Sequence, residues 1–228
     1  MKNKLCMLLL ASGIGLFSCA EKDLPKEYTD SVNVFIGTGG HGHTFPGATL
    51  PHGMVQLSPD TRLFGWDACS GYYYDDTSIM GFTHTHLSGT GIGDYGDILF
   101  MPVVGEKPLI AGTAENPDEG YRSRFSHEQE SARPGYYQVL LQDDSINVEL
   151  TATLRAGLHR YTYPKTSDAR LIVDMEPTIH GHQHPVTQIR VVNDSTIAGM
   201  KYTVGWAKRH YVYLSLIHIS EPTRRSYI

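Results

Sequence analysis

Residues 146–155 have the sequence Ile-Asn-Val-Glu-Leu-Thr-Ala-Thr-Leu-Arg, in which apolar and polar side chains alternate at every position. Successive side chains of an extended strand point to opposite faces, so this period of two predicts a strand with one buried and one solvent-facing side. Gly157 permits a turn after this segment, and residues 159–163 are expected to return as a second strand. The segment therefore favours antiparallel β-structure.

Further strand-like segments lie on both sides of this one, at residues 136–141, 171–175, 186–192 and 197–204. Polar turn residues separate them, including Asp143-Asp144-Ser145 and Asn193-Asp194-Ser195. Only residues 126–132 have a helical pattern. Many short strands joined by tight turns predict an all-β sandwich rather than a barrel of alternating β and α units.

The N-terminus predicts export. Lys2 and Lys4 precede an apolar stretch, residues 5–17, of about 13 residues, which is too short to cross roughly 30 Å of hydrocarbon and is typical of a signal peptide. Leu16-Phe17-Ser18-Cys19 matches the pattern that lipoprotein signal peptidase cleaves. We therefore expect a signal peptide at 1–18, lipid on Cys19, a polar tether at 19–30 and a membrane-anchored protein in the periplasm or at the cell surface. A plain secretory signal with an incidental cysteine is the alternative.

The C-terminus has an unusual composition. Residues 214–224 resemble the translation of a transposon-type sequencing-library adapter. We therefore expect residues 214–228 to be a non-native tail and the natural protein to continue beyond about Tyr213. A genuine C-terminal strand is the alternative.

Length and charge narrow the class of protein. Residues 31–213 are enough for one domain with a core. The formal net charge of −5 provides no basic surface for phosphate backbones, so we expect no nucleic-acid partner and favour a neutral ligand. Cys6 lies in the signal peptide and Cys19 is expected to be lipidated, so only Cys69 remains and no internal disulfide is expected.

The segment 35–97 differs from the rest of the chain, because it holds 13 of the 23 glycines, five histidines, Trp66 and three consecutive tyrosines at 72–74. Residues 37–43 and 87–94 are so rich in glycine that they are expected to form loops. Of the three tyrosines, we expect one or two in the core and the others at the surface. The loop at 37–43 has no Lys-Ser/Thr pair after it, so it does not predict a phosphate site.

A sugar needs an apolar face for its C–H surface and planar polar groups for its hydroxyls. Trp66-Asp67 supplies one of each. Gly65 before the pair and Ser70 after it favour a loop position for Trp66. The further polar candidates are His41, His43, His84, His86 and Asp94, because buried polar groups matched to hydroxyls give strong discrimination between ligands.

Three His-x-His pairs occur, at His41/His43, His84/His86 and His180/His182, and each could chelate a metal through side chains on one face of a strand. A third ligand is needed, and no carboxylate stands at a fixed spacing from any pair. We therefore predict no metal site at these histidines. One histidine of a pair is expected to bond loop backbone and the other to face the cleft.

Several of these motifs together resemble a known family. They are residues 32–48, Gly-Trp-Asp at 65–67, Cys-Ser-Gly-Tyr at 69–72, residues 81–91, Asp-Tyr-Gly-Asp at 94–97 and Gly-Trp-Ala at 205–207. In this order they resemble glycoside hydrolase family 92, the calcium-dependent exo-α-mannosidases, over about residues 28–213. The resemblance implies an N-terminal β-sandwich similar to the galactose-mutarotase fold, packed on a C-terminal (α/α)₆ barrel that this chain lacks.

The resemblance also implies a function. An inverting mannosidase uses a general acid and a general base roughly 6.5–9.5 Å apart. In the family both groups and most calcium ligands lie in the barrel, so no catalytic residue and no calcium ligand is assigned in this chain. By position, the resemblance implies that mannose-containing glycans are bound by Trp66 and Asp67, with His86 and Asp94 behind this pair. Gly39, Gly40 and His41 would form a loop that borders the cleft. A stand-alone carbohydrate-binding module without catalysis is the alternative function.

Overall fold

The computed structural model describes residues 27–218, so the predicted signal peptide, the predicted lipidation site Cys19 and residues 219–228 lie outside the described part. Its strands, in chain order, are β1 (Ala48–Thr49), β2 (Gln56–Asp60), β3 (Ser78–Ile79), β4 (Gly81–Thr83), β5 (Leu99–Val104), β6 (Ser123–Arg124), β7 (Glu130–Arg133), β8 (Tyr136–Leu141), β9 (Ile146–Ala152), β10 (Gly157–Thr162), β11 (Ala169–Asp174), β12 (Gln183–Asn193), β13 (Thr196–Val204) and β14 (His210–Ile217). Short 3-10 turns are the helical elements of this part, which confirms the all-β prediction.

The strands form three main sheets. A five-stranded sheet has the order β1-β2-β4-β5-β11, a four-stranded sheet the order β10-β9-β8-β7, and a three-stranded sheet the order β12-β13-β14. All pairings in these sheets are antiparallel. β3 and β6 pair separately.

The five-stranded sheet lies between the other two. On β5, Leu99, Met101 and Val103 belong to the main core, which also contains the buried residues of β8 and β9. Phe100, between them, belongs to a second cluster with side chains of β14, namely Val212, Leu214 and Leu216. Because alternate residues of one strand enter different cores, the sandwich has three layers.

The alternating segment is a strand as predicted. β9 buries Ile146, Val148 and Leu150 and leaves Thr151 exposed. The predicted strands at 136–141, 159–163, 171–175, 186–192 and 197–204 correspond to β8, β10, β11, β12 and β13. In the tyrosine run Tyr72 is buried and Tyr74 is exposed, as expected.

Four strands of the central sheet, β1, β2, β4 and β5, were not predicted from the sequence. β2, β4 and β5 are buried along almost their whole length, and β5 consists of apolar residues alone, so it shows no alternation. β14 continues four residues beyond Tyr213, as in the alternative of a C-terminal strand.

The predicted helix at 126–132 is wrong. Ser126 caps a single 3-10 turn, His127–Gln129, by accepting the Glu128 N–H at 3.2 Å. The chain then forms β7, whose Glu130 pairs with Val139 of β8. The Glu130 carboxylate accepts the Tyr137 hydroxyl at 2.6 Å. These long-range bonds outweigh the local helical propensity of the segment.

No helix within residues 27–218 combines the length and the hydropathy needed to cross a bilayer.

A pair of histidines links β10 to the loop after β4. His84 Nδ1 donates to the Ile98 carbonyl at 2.7 Å, so its Nε2 is free to accept the N–H of His159 Nε2 at 3.1 Å. The Tyr161 hydroxyl donates to His159 Nδ1 at 2.8 Å. Both rings are therefore neutral in this arrangement. Burial lowers the pKa of His84 to about 4 and that of His159 well below its ordinary value.

We predict that this pair makes the fold sensitive to mild acid. Between the ordinary histidine pKa of 6.5 and the folded value of about 4, the unfolded chain binds more protons than the folded one, so stability falls as the pH falls. From pH 7 to pH 5 the lowered pKa of His84 corresponds to a loss of about 2 kcal/mol in the free energy of unfolding. In urea denaturation, His159→Gln should show a smaller loss than wild type, because it removes one of the two buried rings.

The exposed His52 provides the matched control, and His52→Gln should keep the wild-type pH dependence. Equal losses in wild type and His159→Gln between pH 7 and pH 5 would contradict the assignment of neutral rings.

Candidate functional site

Glycine-rich loops meet at one end of the sandwich. The loop at 37–44 is joined to the loop at 87–96, because Gly89 N–H donates to the His43 carbonyl at 2.6 Å. Both glycine-rich segments lie outside the strands, as predicted. The turn Trp66–Ala68 lies beside them, and His180 Nε2 bonds the Gly65 carbonyl at 3.0 Å. Four separate segments of the chain therefore converge here.

Trp66 lies on this surface with 59% of its area exposed. The edge of its ring meets the His43 ring, with the centroids 5.1 Å apart. A Cβ on Gly91 would come within 2.7 Å of the tryptophan ring, so glycine at this position leaves room for the ring. The result is a supported aromatic ring that is open to a ligand.

Asp67, the neighbour of Trp66, is held by two histidines. His41 Nδ1 lies 2.7 Å and His43 Nε2 3.3 Å from Asp67 Oδ1. The hydrogen bond with His41, and to a lesser extent that with His43, lowers the pKa of the Asp67 carboxyl. Asp67 is therefore an ionised hydrogen-bond acceptor beside the exposed ring.

The two histidines differ in environment. The His43 side chain is buried and its Nδ1 donates to the Thr90 carbonyl at 2.8 Å. The His41 side chain is 77% exposed. One histidine of this pair bonds loop backbone and the other faces the open surface, which confirms the expectation for the pair.

Gly39 and Gly40 lie in the same loop as His41. The Gly42 N–H donates to the Gly39 carbonyl at 3.3 Å, closing a turn. Gly40 has a φ of +56° and no neighbour within 4 Å of the place where a Cβ would be. No side chain therefore covers the main chain at Gly40.

His86 lies in the interior, behind the loop surface. Its side chain is fully buried, Nδ1 donates to the Gln56 carbonyl at 2.8 Å and Nε2 lies 3.0 Å from Asp60 Oδ1. Both ring nitrogens are thus bonded inside the protein. His86 holds the loop base and does not reach the surface where Trp66 lies.

Asp94 is also buried, with 4% of its area exposed. Its Oδ1 accepts the Tyr95 N–H and its Oδ2 accepts the Trp206 N–H, both at 2.8 Å. Asp94 therefore anchors the turn that carries Trp206 and lies behind the exposed surface.

Sequence reasoning gave no role to other exposed apolar side chains on these loops. They are Phe64, Ile92 and Trp206, which are 67%, 45% and 64% exposed. The signal was available for Trp206, because Gly205-Trp206 repeats the glycine-tryptophan pair at 65–66. Contiguous exposed apolar groups are typical of binding surfaces.

We predict that Asp94→Ala destabilises the domain by about 1–3 kcal/mol, because two main-chain N–H groups lose their acceptor. Asp94→Asn should cost less, since one oxygen remains. Urea denaturation measures both, and the exposed Asp75→Ala is the matched control. Wild-type stability of the alanine variant would mean that Asp94 is not an anchor of this turn.

Comparison with known proteins identifies the family. Residues 31–227 match the glycosyl hydrolase family 92 N-terminal domain. An uncharacterized secreted glycosidase of Arthroderma benhamiae is 32% identical over 142 residues, which cover 58% of this chain and 17% of the fungal protein.

Two solved mannosidase structures are similar to this chain. The family GH92 α-mannosidase BT3965 from Bacteroides thetaiotaomicron, in complex with mannoimidazole, is 48% identical with a TM-score of 0.80, over 82% of this chain and 24% of that one. The inverting mannosidase BT2199 from Bacteroides thetaiotaomicron is 28% identical with a TM-score of 0.61, over 79% and 24%. The chain thus spans about a quarter of the length of these mannosidases. It belongs to glycoside hydrolase family 92, of which it carries the N-terminal β-sandwich domain.

Proposed function

We propose that this chain is the substrate-contacting domain of a calcium-dependent, inverting α-mannosidase that removes terminal mannose from glycans. The observation that carries the proposal is the exposed Trp66 ring beside the ionised Asp67, on loops of a chain 48% identical to an α-mannosidase that binds mannoimidazole.

Each group at this surface has a role in the proposal. The Trp66 ring packs on the C–H face of the sugar, and Asp67 accepts hydrogen bonds from its hydroxyls. His41 is exposed and can contact the same hydroxyls. Gly39 and Gly40 allow the ligand to approach the main chain closely. His86 and Asp94 act behind this layer, where they hold the loops that carry it.

We place the general acid, the general base and the calcium site in the further part of the protein, because the chain spans about a quarter of its mannosidase relatives. Among residues 27–218, the group of side chains that converges like a metal site is His41, His43 and Asp67. Two imidazoles and one carboxylate do not suit calcium, which takes six to eight oxygen ligands. No step of the reaction is therefore assigned to calcium in this domain.

The proposal includes location. The signal-like N-terminus with Cys19 supports a lipid-anchored enzyme outside the cytoplasm, and the secreted glycosidase relative is compatible with an exported protein. Mannose-containing glycans at the cell surface or in the periplasm are then its accessible substrates.

We predict that this chain alone, with calcium, does not hydrolyse α-linked mannobiose, because both proposed catalytic carboxylates lie in the further part of the protein. Release of mannose is measured by coupled assay, with a protein that includes the barrel as the positive control. Turnover by the chain alone would refute the proposed division of labour between the domains.

In the protein that includes the barrel, we predict that Trp66→Ala lowers kcat/KM at least about tenfold, equal to about 1.4 kcal/mol of lost transition-state binding. Because the ring is exposed, the variant should keep its melting temperature. Tyr28→Ala removes an aromatic side chain that is 98% exposed on another part of the domain and should have wild-type kinetics. If Trp66→Ala has wild-type kinetics too, Trp66 is not a sugar contact.

A further inference from the structure

His41, His43 and Asp67 bring three ligand atoms together at the loop surface. These atoms, one from each side chain, all lie within 4.8 Å of one another. The sequence offered two of them in a His-x-His pair, and the third comes from the separate turn Trp66–Ala68. The fold therefore supplies the carboxylate whose absence from the local sequence argued against a metal.

The orientation of His43 makes the arrangement informative. Its Nδ1 faces the Thr90 carbonyl at 2.8 Å, and a carbonyl only accepts, so Nδ1 donates this hydrogen bond. The other ring nitrogen, Nε2, faces Asp67 Oδ1 at 3.3 Å. This is the outer-shell pattern of metal-binding histidines, which donate their second N–H to a carbonyl.

We propose that His41, His43 and Asp67 form a binding site for a transition-metal dication of the zinc class. Ligands at about 2.0–2.1 Å from a tetrahedral zinc stand roughly 3.3 Å apart, which matches the separation of His43 Nε2 and Asp67 Oδ1. His41 Nδ1 is closer to Asp67 Oδ1, at 2.7 Å, and its exposed side chain can move outward by the required distance.

The nature and placement of the donors select the class of metal. Imidazole nitrogens and a single carboxylate suit zinc and its neighbours, whereas calcium and magnesium prefer oxygen ligands. Three protein ligands leave a fourth position for water or another ligand. The Asp60–His86 pair provides the contrast, because both side chains are sealed from solvent and only one imidazole faces the carboxylate.

The site has a consequence that rests on the proposed function. Asp67 is both a metal ligand and the proposed acceptor for sugar hydroxyls, so the metal and the sugar compete for it. Methyl α-mannoside should therefore weaken the apparent zinc affinity. Zinc binding that the mannoside leaves unchanged would remove Asp67 from sugar binding while the metal site itself stands.

Isothermal titration of this chain with zinc chloride tests the site without any enzymatic activity. We expect one zinc per chain, and affinity reduced by more than about tenfold in His41→Ala, His43→Gln and Asp67→Asn. His41→Ala distinguishes loss of a metal ligand from loss of folding, because the side chain is 77% exposed and its removal leaves no buried gap. His184→Gln removes a histidine outside the proposed site, whose Nε2 lies 2.9 Å from Glu176 Oε2, and this variant should bind zinc as wild type does.

Millimolar calcium should not displace the zinc, and displacement would overturn the assigned metal class. Absence of zinc binding, or zinc affinity that His41→Ala leaves unchanged, would overturn the site. So would ring-nitrogen NMR of His43 that shows protons on both nitrogens in the presence of zinc, because a proton would then fill the gap.

Discussion

The five-stranded sheet has apolar side chains on both faces, and both faces must be covered before it is stable in water. Leu99, Met101 and Val103 require the four-stranded sheet, while Phe100 and Val173 require the three-stranded one. The strands that cover each side come later in the chain than most of those they cover, so the layers form only through long-range contacts. The connections that follow β2 and β4 carry Trp66, Asp67 and Gly91 of the binding surface.

Histidines hold these loops in place. A glycine-rich loop has little side-chain packing of its own, so its position depends on hydrogen bonds to its main chain. His43 bonds Thr90, His180 bonds Gly65, His182 bonds Gly93 and His86 bonds Gln56, in each case at the carbonyl oxygen. Most of the histidines in this region thus have an internal partner, which leaves His41 as the histidine with a mainly exposed side chain among the proposed ligand contacts. These histidine–carbonyl hydrogen bonds support Trp66 and Asp67 and keep the loop surface in a defined geometry.

Sequence reasoning succeeded for β8 and β9, because each of these strands has one buried face and one more exposed face. β8 and β9 alternate in burial along their length, so their pattern could be read directly. It failed for β5, because burial on both faces leaves no alternation, and for β2 and β4, which are only five and three residues long. It also failed for residues 126–132, where the side-chain bonds of Glu130 and the pairing with β8 outweigh helix propensity. At the surface, the loop position of Trp66 was predictable from its glycine neighbour, whereas the burial of His86 and Asp94 was not.

The sequence by itself determined the β-class, the positions of the glycine-rich loops and the presence of an aromatic and acidic pair at 66–67. Only the tertiary structure decided which polar residues of those loops face outward. Asp67 and Asp94 are chemically identical, yet their surroundings differ. Asp67 contacts two histidines at the surface, whereas Asp94 accepts the main-chain N–H of Trp206, 112 residues away. A polar side chain goes where its hydrogen bonds are satisfied, and its partners here are brought close by the packing of the three sheets.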